Sequence, residues 1–164
     1  MVKHTIILNP IDSLIQINGS DTTRKCIFSS LEYCGEALNS MELVSGAKEI
    51  LSFLRNNSKN FKTIIVTSYD EAIVRLIASH FNIPYVAVYR GRVNKSSLYV
   101  RAIGKIGSDV NDAVVVSGNA IDIKDAETSG IEGLRYGVSR SQNGVEYLDD
   151  LLYHLGLRLH NKPS

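Results

Sequence analysis

The sequence predicts a doubly wound α/β domain built on a parallel sheet, and three observations carry that prediction. Five short runs rich in isoleucine and valine, Thr5 to Leu8, Thr63 to Thr67, Tyr85 to Tyr89, Ala113 to Ser117 and Leu134 to Val138, are apolar almost without a break. Alternating strands leave one face in water, whereas unbroken apolar strands belong to a sheet covered on both faces. Between the runs lie stretches with apolar residues at helical spacing, and strands alternating with helices at this interval build parallel sheets. The third observation is size. A length of 164 residues, with 44% hydrophobic and 21% charged side chains, suffices for one domain with a core, and no repeat, low-complexity tract or Pro/Gly-rich linker divides it.

In chain order, the first strand enters a polar turn at Asn9-Pro10. The alternation is then interrupted: from about 15 to 41 a polar loop, Asn18-Gly19-Ser20-Asp21, precedes one helix-like run from Thr23 to Leu38. This segment is too short for a large independent cap and is expected as a minimal cap-like insertion in a single domain spanning 1–164. Val44 to Asn57 places Val44, Ala47, Ile50, Leu51 and Leu54 on one helical face. Glu71 to Phe81 does so with Ile73, Val74, Ile77 and Phe81, and Ser96 to Ile106 with Leu98, Val100, Ala102, Ile103 and Ile106. Ile121 to Ser129 is a shorter helix ended by Gly130, and Val145 to Leu155 is a last helix before a polar tail, Arg158 to Ser164. Ligands of open α/β sheets sit outside the carboxyl ends of the strands. The insertion therefore falls beside that edge, as a small flap or an oligomer contact.

A formal net charge of +1 with interspersed signs gives no electrostatic footprint for nucleic acid. No apolar run approaches the roughly 18 residues of a membrane span, and the first residues lack the pattern of a secretory leader, so no membrane partner and a cytoplasmic location are expected. Cys26 and Cys34 lie eight apart in one helix-like run, about 12 Å along its axis, too far for a disulfide with each other. They read as small buried hydrophobes. His4, His80, His154 and His160 are scattered, without the spacing of a zinc site.

Four strand ends carry the chemistry. Thr5-Ile6-Ile7-Leu8-Asn9-Pro10-Ile11-Asp12-Ser13-Leu14 runs an apolar strand into a polar turn. Val66-Thr67-Ser68 ends the second strand. Lys95 opens a helix after Val93-Asn94, and Val114-Val115-Val116-Ser117-Gly118-Asn119-Ala120-Ile121-Asp122-Ile123 again joins strand to turn. Taken in order, from about Thr5 to about Leu157, this set resembles the haloacid dehalogenase (HAD) superfamily, with another doubly wound fold such as a receiver-like domain as the alternative. The resemblance implies a phosphatase scaffold in which Asn9 stands at the position of the nucleophilic Asp and Ile11 at that of the acid/base Asp. It further implies that Thr67 and Ser68 sit where a hydroxyl bonds phosphate, Lys95 where a lysine neutralises nucleophile and phosphate, and Ser117-Gly118 where Gly-Asp is expected, with Asp122 in the outer shell of the metal. Each residue alone has an ordinary explanation. A hydroxyl after a strand caps helices, a lone lysine is a surface group, and an Asp in a first turn meets the helix dipole favourably.

The chemistry follows from what is replaced. An Asn amide is neutral and a poor nucleophile, and Ile11 moves no proton. Magnesium needs hard, mostly anionic oxygens, and Asn9, Ile11 and Gly118 take the places of the carboxylates that the resemblance implies nearest to it. Thr67, Ser68 and Lys95 remain donors, and the turn from Pro10 to Leu14 offers backbone N–H groups, although Pro10 itself has none. The leading expectation is a scaffold that has lost phosphatase catalysis and keeps an anion pocket at Asn9, Ser13, Thr67, Ser68 and Lys95. A phosphorylated small molecule is its expected ligand, and it needs no cofactor. The first alternative is an active phosphohydrolase that uses a relocated carboxylate, Asp12 or Asp122, with Mg²⁺. The second is a self-association module with a dead pocket and an interface around Cys26 to Tyr33. A homo-oligomer is compatible with all three.

Overall fold

A computed structural model describes residues 3–11, 13–18, 37–44, 46–92 and 94–135. In chain order the regular elements are β1 (Thr5–Leu8), β2 (Ile15–Ile17), β3 (Met41–Leu43), α1 (Ala47–Asn56), β4 (Lys62–Thr67), α2 (Glu71–His80), β5 (Ala87–Arg90), α3 (Ser96–Lys105), β6 (Ala113–Ser117), α4 (Ala120–Thr128) and β7 (Glu132–Arg135). Every residue of β1 is buried, as befits a strand with neighbours on both edges and helices over both faces. It pairs in parallel with β4 on one side and β6 on the other. With β5 beyond β4 and β7 beyond β6, also parallel, the sheet order is β5-β4-β1-β6-β7.

Successive side chains of a strand point to opposite faces, and the two faces bury different helices. Ile6 and Leu8 pack with Ile50, Leu51 and Leu54 of α1 and Ile73, Val74 and Ile77 of α2. Ile7 packs instead with Leu98, Tyr99, Ala102 and Ile103 of α3 and Ala126 of α4. The chain is thus doubly wound, as the apolar runs predict.

Boundaries moved where local chemistry acts. The periodicity places the start of α1 at Val44, yet the helix begins at Ala47, because Gly46 in front of it has a left-handed backbone, φ 86°, which costs glycine little. Thr67 and Ser68 do not cap α2. Asp70 does, its side chain accepting from the Ala72 N–H at 2.9 Å. β7 begins two residues before the predicted Leu134 and is described to Arg135, with 136–138 outside the described residues.

Within the insertion, β2 and β3 pair antiparallel, Ile15 with Leu43 and Ile17 with Met41. Three-residue strands with a single polar residue between two apolar ones are too short to register as alternation, so the sequence did not announce this pair. Residues 19–36, including Cys26, Cys34 and most of the Thr23 to Leu38 run, lie outside the described residues, as do Asp12 and the predicted helix from Val145 to Leu155. Among the described residues no helix is long and apolar enough to cross a membrane.

Gly133 shows how tightly α4 lies on β7: a Cβ there would stand 2.8 Å from Ile123 Cγ2 and 3.3 Å from the Ile123 carbonyl oxygen. The side-chain methyl can turn away, but the backbone cannot. Gly133→Ala is therefore expected to cost about 1–3 kcal/mol by overpacking, read as an earlier urea midpoint with an unchanged slope. A neutral result would mean that α4 slides freely on the sheet.

Candidate functional site

β1 lies where the sheet order reverses, since the chain passes from β1 to β4 and β5 on one side and then crosses to β6 and β7 on the other. A crevice at the carboxyl ends of the strands is expected at such a point. The Asn9 N–H continues the ladder by donating to the Val116 carbonyl at 3.0 Å. The turn that follows closes on itself. The Ile15 N–H donates to the Pro10 carbonyl at 3.0 Å, and the buried Ser13 hydroxyl donates to the carbonyls of Asn9 and Pro10. Ile11 is 1% exposed and belongs to the core beside α1 and α2.

The centre of the site is Asp122, in the first turn of α4 and 1% exposed. Three donors from three parts of the chain converge on it. Lys95 Nζ donates to Oδ1 at 2.8 Å, while Asn9 Nδ2 at 2.9 Å and Ser117 Oγ at 2.8 Å donate to Oδ2. The local chain sets this up at each point. Asn119 caps α4 by accepting from the Ile121 N–H at 2.9 Å, and its own N–H donates to Ser117 Oγ at 3.0 Å, which leaves the serine proton for Asp122. One helical turn on, Asp125 Oδ2 accepts from the backbone N–H of Lys95 at 2.9 Å. Asp122 and Asp125, on one face of α4, thus hold the side chain and the backbone of the same residue.

The Lys95 and Asp122 side chains are 5% and 2% exposed. Removing both charges from water is costly unless geometry and further hydrogen bonds compensate, and Asn9 and Ser117 supply those bonds. Because an ionised carboxylate only accepts, Asn9 presents its amide nitrogen to Asp122 and its oxygen away. That oxygen is buried without a hydrogen-bond partner among the described residues.

The same carboxylates act on Tyr99. Burial first, then the negative charges of Asp122 and Asp125, push its phenol well above the usual tyrosine value. A phenol whose folded value is raised contributes stability that is complete below the unfolded value of about 10 and lost as pH climbs above it. Tyr99→Phe should therefore move the alkaline unfolding midpoint upward, followed by tyrosinate absorbance and circular dichroism. An unmoved midpoint would assign alkaline unfolding to other groups.

Of the residues singled out from sequence, Asn9, Lys95 and Asp122 are brought into direct contact. Thr67, fully buried at the end of β4, accepts from the Tyr69 N–H at 3.1 Å through its hydroxyl oxygen. Half-buried Ser68 follows it. No hydrogen bond among the described residues joins either to the Asp122 cluster. The Ser13 hydroxyl is engaged by its own turn, and Ile11 points into the core. Gly118 offers its carbonyl to Arg135 Nε at 3.1 Å. Sequence reasoning missed Asp125 and Arg135, and saw Ser117 only as a replacement. The strand-to-helix spacing that brings Ser117 to Asp122 was the one available signal.

Magnesium does not fit the described residues. Among them no three His, Cys, Asp or Glu side chains come together, both oxygens of Asp122 are engaged, and the Lys95 ammonium lies against that carboxylate.

This architecture is shared by solved hydrolases. A dehalogenase with an intermediate complex matches with a TM-score of 0.69 at 14% identity, over 95% of this chain and 98% of that one. A predicted phosphatase from Clostridium acetobutylicum matches with a TM-score of 0.66 at 13% identity, over 92% and 97%. A HAD family enzyme from Bacteroides thetaiotaomicron, in complex with magnesium and inorganic phosphate, matches with a TM-score of 0.57 at 12% identity, over 87% and 97%. No protein-family model and no curated protein sequence matches the chain. At such identities the likeness concerns the fold, and the fold is HAD-like, as the four strand ends suggest.

Proposed function

We infer that this chain is a HAD-like protein without phosphatase catalysis that binds an anion, a phosphate group by preference, at the carboxyl edge of its sheet. One observation carries the reading: the side chain at the nucleophile position is an amide whose nitrogen donates to Asp122 at 2.9 Å. A group in that role attacks nothing. Asp122 is a poor substitute, because it is 1% exposed and its two oxygens are turned to Lys95, Asn9 and Ser117, whereas a nucleophile or base needs a lone pair aimed at the substrate. The Lys95 charge is matched by Asp122, so the attraction for an anion falls to the half-buried Ser68 and to the backbone of the turn, with the buried Thr67 hydroxyl behind them. Such a site holds phosphate weakly and needs no metal.

The purified protein should therefore show no turnover of aryl phosphates with Mg²⁺ or Mn²⁺, while millimolar phosphate raises its melting temperature by mass action. Thr67→Val combined with Ser68→Ala should remove that rise. Metal-dependent turnover abolished by Asp12→Asn would establish the phosphohydrolase reading instead. A melting curve indifferent to phosphate would leave the scaffold with a structural role.

A further inference from the structure

Away from the strand ends, a cleft of about 230 Å³ opens between α1 and the carboxyl end of α2. Its floor is Leu51 and Phe81. Around it stand Lys48, Arg55 and His80, and among the described residues no acidic side chain lines it. Lys48, Leu51 and Arg55 are spaced three and four apart, so they form one stripe along α1.

Lys48 and Arg55, both exposed, have no carboxylate partner among the described residues, whereas Arg75 on α2 is paired with Glu71 at 2.7 Å. Arg55 is also fixed in place. Its Nη1 donates at 2.7 Å to the carbonyl of Asn82, a residue held at φ 54° just past α2. A guanidinium anchored by one nitrogen keeps its remaining N–H groups in a set direction, and their planar fork suits a carboxylate. His80 lies edge-on to Phe81, ring centroids 4.8 Å apart, so polar and apolar contacts sit side by side.

We propose that this cleft is a binding site for a small carboxylate with an apolar body, the carboxylate on Arg55 and Lys48 and the body on Leu51 and Phe81. Charge complementarity selects the anion, because the two cations that flank the apolar floor, Lys48 and Arg55, meet no carboxylate in the cleft among the described residues. Size selects a small molecule, since the cleft lies below the roughly 300–1,000 Å³ of sites for drug-sized ligands. The site is independent of the strand-end anion pocket and stands whether or not that pocket binds phosphate.

The test is a titration of the isotopically labelled protein with benzoate, and with benzamide as the uncharged analogue, followed by amide chemical shifts. Benzoate should shift the signals of Leu51, Phe81 and Asn82 saturably, and benzamide should leave them in place. Arg55→Glu should weaken benzoate at least about tenfold, the loss expected of one charge-assisted hydrogen bond. Lys48→Glu, which leaves the Arg55 anchor intact, should weaken it in the same direction. Equal binding of benzamide, shifts confined to Asn9, Lys95 and Ser117, or indifference to both variants would overturn the proposal. So would sedimentation showing that the unliganded cleft is covered by a second copy of the chain and that Lys48→Glu separates the copies.

Discussion

Lys95→Met should destabilise the protein by about 3–5 kcal/mol, the cost of leaving a buried carboxylate without its cation. The loss falls on Asp122, whose side chain is 2% exposed and whose Oδ1 has, among the described residues, only the Lys95 ammonium. In the variant the carboxyl escapes by holding a proton, so its folded value rises above the unfolded value of about 3.9. A raised carboxyl destabilises above its unfolded value and ceases to do so as pH falls, so the deficit should be full near about pH 8 and smaller near about pH 5. Urea unfolding at the two pH values measures both. Adding Asp122→Asn to Lys95→Met should recover much of the stability, because it removes the orphaned charge and keeps an acceptor for Ser117. A single variant that loses less than about 1 kcal/mol, within the range of exposed pairs, would place this pair at the surface.

Asn9→Asp restores the residue type expected of a HAD nucleophile, and the structure predicts that it does harm. The Nδ2 donor stands 2.9 Å from Asp122 Oδ2, so the substitution turns a hydrogen bond into a contact between two carboxylate oxygens beside one lysine. One of the two must hold a proton, which pushes its titration upward and costs about 1–4 kcal/mol at neutral pH. The pair titrates as a unit, and stability should return toward about pH 5, where the shared proton is retained. Magnesium should do little for this variant, because Ile11 and Gly118 contribute no further carboxylate, and aryl phosphate should remain uncleaved. Unaltered stability near about pH 8 would mean that the introduced side chain turns away from Asp122.

These two expectations mark where sequence reading stopped. The sheet was legible because Ile6 to Leu8, Ile64 to Val66 and Val114 to Val116 are unbroken apolar runs, and their order with the helical stripes leaves few topologies. Asn9, Lys95 and Asp122 were legible as an ordered set. Their partnership was not, because spacing along the chain says nothing of which strand ends are neighbours until β1 is known to lie between β4 and β6. The turn after β1 was harder still. Ser13 reads as an available hydroxyl, but whether it turns to a ligand or to the carbonyls of Asn9 and Pro10 depends on a backbone conformation that residue types do not encode. The charge on Lys95 posed the same difficulty, since its counter-ion lies 27 positions away.

The residue after Asn9 gives the site permanence. Asparagine in an ageing protein ordinarily turns into aspartate when the backbone nitrogen of the next residue attacks the side-chain carbonyl, closing a ring that water later opens to a carboxylate. That attack requires a nitrogen with a hydrogen to lose, and Pro10 has none. The usual spontaneous route back to the acid is therefore closed at this bond. A molecule late in its lifetime carries the same neutral group as one newly made. A stored preparation should gain no trace of carboxylate at position 9 by that route, and peptide mass spectrometry after prolonged warm incubation, with the other asparagines as internal clocks, would register it.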